Sequence, residues 1–300
     1  MVFLKLGTRT LRSMCAIALA VLLASELVSA AESRAGQAGT QNKSPGGVEL
    51  PDGSWETLIT PILDIRYQAG DKADAELYAG FLEKTHRALR DEFSSVDVDA
   101  LTRNPVPCTV WLHPRASGAI SAGNALAATS YGAASLCELH FLAPSAYTAP
   151  DRCCTKIGEP RDVDQLHRIT AHEYSTIVLD RLNRQRAGWR FHSAPKWFEQ
   201  GYEEYLGCML ASEHTRTVTM AKYRELVAKT PSRLRDGDVE NPYIDGAVLV
   251  QFLHERFGRQ KTQGILLSPA GTFEDALRQT IGIDQRELFN LARAALTANK

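Results

Sequence analysis

The chain has 300 residues, with 34 Lys and Arg against 35 Asp and Glu, 44% hydrophobic and 23% charged residues. This ordinary globular composition excludes collagen-like, largely disordered and multi-span membrane proteins, and allows one large domain or two small ones. The near-neutral balance gives no electrostatic case for nucleic acid or an anionic membrane as partner.

At the start, Lys5, Arg9 and Arg12 precede an apolar run over 15–24 and a small-residue exit, Val28-Ser29-Ala30. That order predicts an export signal over 1–30, cleaved after Ala30. The apolar run is about half the roughly 20 residues of a spanning helix, so no membrane association beyond export is expected. The mature chain, at a formal charge of −3 instead of −1, is expected to be secreted or periplasmic, where disulfides persist. Five cysteines remain: Cys108, Cys137, Cys153, Cys154 and Cys208. A bridge between the neighbours Cys153 and Cys154 would strain the intervening peptide, so each is expected to pair with one of the other three, leaving one free. No C-x-x-C pair suggests a zinc–thiolate site.

Residues 31–53 are rich in Gly, Ser, Gln, Asn and Pro and read as a flexible leader that buries too little to offset its ordering entropy. Within it, Asn42-Lys43-Ser44 matches a glycosylation acceptor. The folded domain, 54–300, divides into a sheet-containing half over about 54–161 and a helical half over about 162–298, an α+β class. Alternation of Leu63, Ile65 and Tyr67 with Asp64 and Arg66 predicts a strand over 59–67. Three- and four-residue spacing of Tyr78, Phe81, Leu82, Leu89 and Phe93 predicts a helix over 74–93. Strands are expected over 106–112, between Pro105 and Pro114, and over 136–142. Helices are expected over 163–183, 195–209, 215–228, 243–257, 272–280 and 284–296, with Gly258 and Gly282 at helix ends that need positive φ. The acidic stretch 236–240 reads as a surface turn.

Two of these helices carry the chemistry. The first contains Ile169-Thr170-Ala171-His172-Glu173-Tyr174-Ser175-Thr176. Zinc peptidases place H-E-x-x-H on a helix because residues four apart share a face and can grip one ion, while the Glu polarises the bound water. Thr176 stands where the second imidazole belongs. The second helix contains Trp197-Phe198-Glu199-Gln200-Gly201-Tyr202-Glu203-Glu204-Tyr205, preceded by Pro195.

Together these motifs resemble the peptidase-MA-like gluzincins, zinc peptidases with H-E-x-x-H and a downstream W-x-x-E-G-x-A-x-Y helix. The order of strands and helices before the motif, the segment from Tyr243-Ile244-Asp245-Gly246 to Gly258, and the tail with Thr272-Phe273-Glu274-Asp275 extend the resemblance over 62–296. By that resemblance His172 is a remnant metal ligand, and Thr176 and Gln200 replace the second His and the Glu ligand. Thr and Gln are neutral, weak zinc donors, so tight zinc binding should be lost. The implied protein is an exported, catalytically inactive pseudopeptidase without a cofactor, which binds an extended peptide or protein segment along its cleft. The alternative is an active zinc metallopeptidase whose metal set is completed by Glu199, Glu203 or Glu204, with Glu173 as general base and Tyr243 steadying the oxyanion. The resemblance also implies that 136–142 is an edge strand beside the cleft, open to strand addition.

The blander reading of the same residues makes Glu199, Glu203 and Glu204 a solvated helix face, His172 and Glu173 a buried pair without metal, and Tyr243 a core or helix-start residue. His167 lies about 140° around the helix from His172 and is a poor second ligand. His113, His140, His192 and His214 have no ligand spacing and are expected on the surface or in loops.

Overall fold

A computed structural model describes residues 43–45, 47–103, 108–115, 127–131, 137–148, 163–235 and 237–298. The expected export signal, the acceptor Asn42 and the adjacent Cys153 and Cys154 lie outside the described residues. Residues Asn42–Pro51 and Trp55–Lys300 form one compact unit, and the second unit, Met1–Gln41 with Asp52–Ser54, lies almost wholly outside the described residues.

The class is α+β, with a mixed sheet ahead of a helical half. The single strand expected over 59–67 is instead a hairpin of β1 (Trp55–Ile59) and β2 (Asp64–Gln68), paired antiparallel. Its turn is set locally: Thr60 Oγ1 donates to the Leu63 carbonyl at 2.6 Å and accepts from the Leu63 N–H at 3.0 Å, so the hydroxyl reverses the chain where alternation alone predicts continuation. Helix α1 (Lys72–Glu92) and a short α2 (Val98–Arg103) follow, then β3 (Thr109–His113), β4 (Ala127–Tyr131) and β5 (Cys137–Leu142). The strand order is β1-β2-β3-β5-β4, with β2, β3 and β5 parallel and both outer pairs antiparallel.

This order overturns the expected edge. β5 is flanked by β3 and β4, so Cys137–Leu142 offers no open backbone for strand addition; the sheet edge on that side is β4. All six residues of β5 are buried, as a strand covered on both sides and both faces should be. Ile65, Val110, Leu139 and Phe141 line one face, where Tyr78 of α1 stacks on Phe141 with ring centroids 4.8 Å apart. The other face carries a buried polar chain: His113 Nε2 lies 3.0 Å from His140 Nδ1, and His140 Nε2 3.4 Å from Glu138. The placement of His113 and His140 on the surface is thereby corrected, because strand alternation sends both inward with Trp111. Ser44 bonds Glu138, and Ser44 and Leu50 are both buried, so part of the stretch read as a leader is packed on the domain.

The cysteine pairing also differs from expectation. Cys108 pairs with Cys137, at the starts of the neighbouring strands β3 and β5, and Cys208 is free and buried. Parallel pairing of Thr109 with Glu138 brings the two preceding residues together, a proximity that no spacing in sequence signals.

The helical half consists of α3 (Val163–Arg186), α4 (Lys196–Ala211), a π-helical turn (Thr215–Thr219) leading into α5 (Met220–Lys229), a two-residue-strand hairpin of β6 (Leu234–Arg235) and β7 (Asp238–Val239), α6 (Ile244–Phe257), α7 (Arg259–Leu266), α8 (Phe273–Ile281) and α9 (Gln285–Ala298). Gly258 and Gly282 have φ of 86° and 83° at helix ends, as expected. α3 is buried on most of its circumference, from Leu166 through Asn183, because α1 packs on one flank and α4 on the other. α4 packs in turn on α6. At that crossing Gly201 faces Gly246, and a Cβ on Gly201 would lie 2.3 Å from the Gly246 carbonyl carbon. Only glycine at both positions allows backbones this close.

Candidate functional site

The site forms where α3, α4 and the start of α6 meet. α3 supplies His172, Glu173 and Thr176; α4 supplies Glu199, Gln200, Glu203 and Glu204; Tyr243 immediately precedes α6. Gly207 of α4 lets the helices approach, since a Cβ there would sit 3.0 Å from the Arg168 carbonyl oxygen and 3.2 Å from His172 Cβ. Tyr243 is presented by a local cap in which its N–H and that of Ile244 both donate to Asn241 Oδ1 at 3.0 Å. Its ring centroid is 5.7 Å from that of His172.

Two chambers are lined by these residues. One, of about 510 Å³, is bordered by His172, Glu173, Thr176, Gln200, Glu203 and Tyr243, together with Ala127, His192, Lys196 and Glu199. The other, of about 380 Å³, is bordered by Arg168, Glu204, Tyr223 and Asn241 and shares Ala127, His172, Glu173 and Tyr243 with the first. The two ligand positions of the resembled family, Thr176 and Gln200, therefore face the same space as His172.

The carboxylates of α4 are not a solvated face. Glu199, Glu203 and Glu204 are 3%, 1% and 3% exposed, and three carboxylates in the interior must find partners or give up their charge. Glu204 finds them: it forms an ion pair with Arg168 Nη1, accepts from Tyr223 Oη at 2.7 Å, and its Oε2 lies 3.2 Å from His172 Nδ1. The last contact is an ion pair, out of line for a hydrogen bond. Burial pushes the Glu204 carboxyl up, but His172, Arg168 and Tyr223 outweigh it and hold it below the usual range. Burial disfavours charge on His172 as well, yet Glu204, with the charges of Glu173 and Glu203, raises the imidazole to about 9.

Glu199 is held by His192 Nδ1 at 2.8 Å and Lys196 Nζ at 2.5 Å. These partners override burial and keep its carboxyl below the ordinary value. His192 also reaches Asp180, with Nε2 3.4 Å from Oδ1. As expected, it is exposed and sits in the short turn Phe191–Ser193 between α3 and α4, from where it borders the larger chamber. Glu203 differs from its neighbours. Its Oε2 lies 3.7 Å from His172 Nε2, while its Oε1 is buried without a partner among the described residues. Burial, reinforced by Glu173 and Glu199, pushes its carboxyl up to about 7 against the opposing effect of His172 and Thr176.

A resident zinc ion does not fit these donors. Thr176 Oγ1 donates back to the His172 carbonyl at 3.2 Å, Gln200 offers only a neutral amide, and Glu199 and Glu204 are committed elsewhere. Among the described residues no three His, Cys, Asp or Glu side chains converge as metal ligands. His167, already a poor candidate by helical phase, stacks on Phe81 and lies 3.3 Å from Thr85 Oγ1.

The motifs did not point to Arg168, Tyr223, Asp180 or His192. Arg168 was within reach, because it lies four residues before His172 on the same helix face. Tyr223 and His192 come from separate elements and had no local signal. No protein-family model matches the chain, and no curated protein sequence matches it.

Proposed function

We propose that this chain is a gluzincin-like pseudopeptidase, an exported protein that has exchanged its metal for an internal ion-pair cluster and binds an extended peptide in the remaining cleft without cleaving it. The observation that carries the reading is the engagement of His172 by Glu204, itself neutralised by Arg168 and bonded by Tyr223. An internal guanidinium supplies the positive charge that a metal would bring to this place. The altered ligand positions Thr176 and Gln200 support it, as does the presence of Ala127 from the edge strand β4 beside both chambers. Loss of the metal leaves Glu173 with no polarised water to deprotonate, so Glu173 and Tyr243 serve as cleft walls in this reading.

One observation favours the alternative of an active zinc metallopeptidase: Glu203 Oε1 lacks a partner and Glu203 Oε2 approaches His172 Nε2. Of the three substitute ligands considered, only Glu203 keeps that capacity. Elemental analysis of the mature protein purified without added zinc separates the two readings. The expected outcome is far less than one zinc per chain, unchanged in His172→Ala. One equivalent of zinc that disappears in both His172→Ala and Glu203→Gln would establish the alternative instead.

A further inference from the structure

The larger chamber is chemically asymmetric. Glu203 is 1% exposed and borders the chamber, and its Oε1 is buried with no partner among the described residues. A buried oxygen left without a partner is costly in a folded protein, and a cation placed beside a buried carboxyl draws it to the ionised form, whose oxygens accept. His172 is shared between the other oxygen of Glu203, at 3.7 Å, and Glu204, at 3.2 Å, while His192 and Lys196, which also border the chamber, are paired with Glu199. Glu173 stands on the same wall. The half-exposed ring of Tyr243 borders the same chamber and lies 5.7 Å, centroid to centroid, from that of His172. The chamber therefore combines carboxylates with an aromatic face, the two groups that together receive an organic cation.

We propose that the chamber bounded by Glu173, Glu203 and Tyr243 is a subsite for a cationic side chain, arginine or lysine, of the bound peptide. The inference rests on the peptide-binding reading above and names the class of residue that the site selects. The ammonium or guanidinium donates to Glu203 and Glu173 while its aliphatic stem lies along the Tyr243 ring. A chamber of about 510 Å³ accommodates either side chain. Binding of the cation also satisfies the Glu203 oxygen that the protein leaves without a donor.

The test is calorimetric titration of the mature protein with end-blocked pentapeptides of alanine carrying arginine, lysine, norleucine or glutamate at the centre. The arginine and lysine peptides are expected to bind about tenfold tighter than the norleucine peptide, and the glutamate peptide weakest, with the preference shrinking as salt is raised. In Glu203→Gln the preference for the cationic peptides over norleucine should fall to about twofold or less. If that variant fails to fold by circular dichroism, Glu173→Gln must reduce the preference in its place. Equal binding of all four peptides overturns the cationic subsite but leaves the peptide-binding reading standing. Absence of binding by any peptide overturns both. A preference that survives in both folded variants also overturns the subsite.

Discussion

His172 shows how little of a residue's chemistry is carried by its identity. A buried imidazole would ordinarily be neutral, but Glu204 and the neighbouring carboxylates raise it to about 9, so it is a cation at neutral pH. Because the folded value lies above that of the unfolded chain, this contribution to stability is complete below about pH 6.5 and disappears as the pH rises through about 9, a difference on the order of 3 kcal/mol. Glu203 acts in the same direction by the opposite route. Its raised carboxyl keeps a proton that the unfolded chain has released, so stability also declines as pH climbs from about 4.5 toward about 7. Melting temperatures followed from about pH 5 to about pH 10 should therefore fall on the alkaline side, and Glu204→Gln should flatten the limb above neutrality. An imidazole resonance of His172 that still titrates near 9 in Glu204→Gln would contradict the assigned cause.

Arg168 is the partner on which Glu204 depends. Removing it as Arg168→Met leaves a carboxylate 3% exposed facing one histidine and one phenol, and the expected cost is on the order of 3–5 kcal/mol. The double variant Arg168→Met with Glu204→Gln should lose less than the two single losses added together, since the second change removes the stranded charge. Additive losses in urea denaturation would show that the pair does not act as one unit.

Among the elements, the crossing of α4 and α6 is the tightest. Gly201→Ala would drive a Cβ to 2.3 Å from Gly246 backbone, and neither helix can yield without disturbing Trp197 and Tyr202, which are buried. A loss of about 3 kcal/mol or more, or failure to fold, is expected, at or beyond the upper end of overpacking costs. Gly207→Ala should be milder, since its closest contact would be 3.0 Å. A Gly201→Ala protein as stable as the parent would mean that the two helices do not approach as described.

The pairing of α3 with α4 also makes a constructive prediction. Thr176 and Gln200 border the same chamber as His172, so Thr176→His with Gln200→Glu should create a site that binds about one zinc per chain, far tighter than either single variant because the ligands act together. Zinc binding is the cleaner readout, since the remainder of the cleft need not support hydrolysis. If the folded double variant bound no more metal than the parent, α3 and α4 would not present those positions to a common point.

At the scale of the whole molecule, the sheet is tied by the Cys108–Cys137 bridge, which spans 29 residues between the starts of β3 and β5. Closing a loop of that length removes unfolded-state freedom, and replacing both cysteines by serine should cost about 3–4 kcal/mol. Urea denaturation of the variant against the oxidised parent measures it, and a difference near zero would place the stability of the sheet in its packing alone.

Much of the architecture was legible locally. The periods of α1, α3, α4, α6, α8 and α9, the glycines that end α6 and α8, and the α+β division follow from apolar spacing and φ requirements, which depend on neighbours a few residues away. The shared helix face of His172 and Thr176 was likewise readable, and both border one chamber together with Gln200. Strand order was not. Whether β5 lay at an edge depended on β4, which pairs with it in space but lies in a Gly-, Ala- and Ser-rich stretch without apolar alternation. The hairpin turn at Thr60 was missed because one hydroxyl, not a period, reverses the chain. Only tertiary structure decided that Glu199, Glu203 and Glu204 are buried, because helix phase orders side chains around an axis but does not say which sides another element will cover. It also decided which carboxylates hold partners. Arg168, Tyr223 and His192 come from three separate elements, and electrostatic compensation of a buried charge depends on distance in space, which sequence separation does not encode.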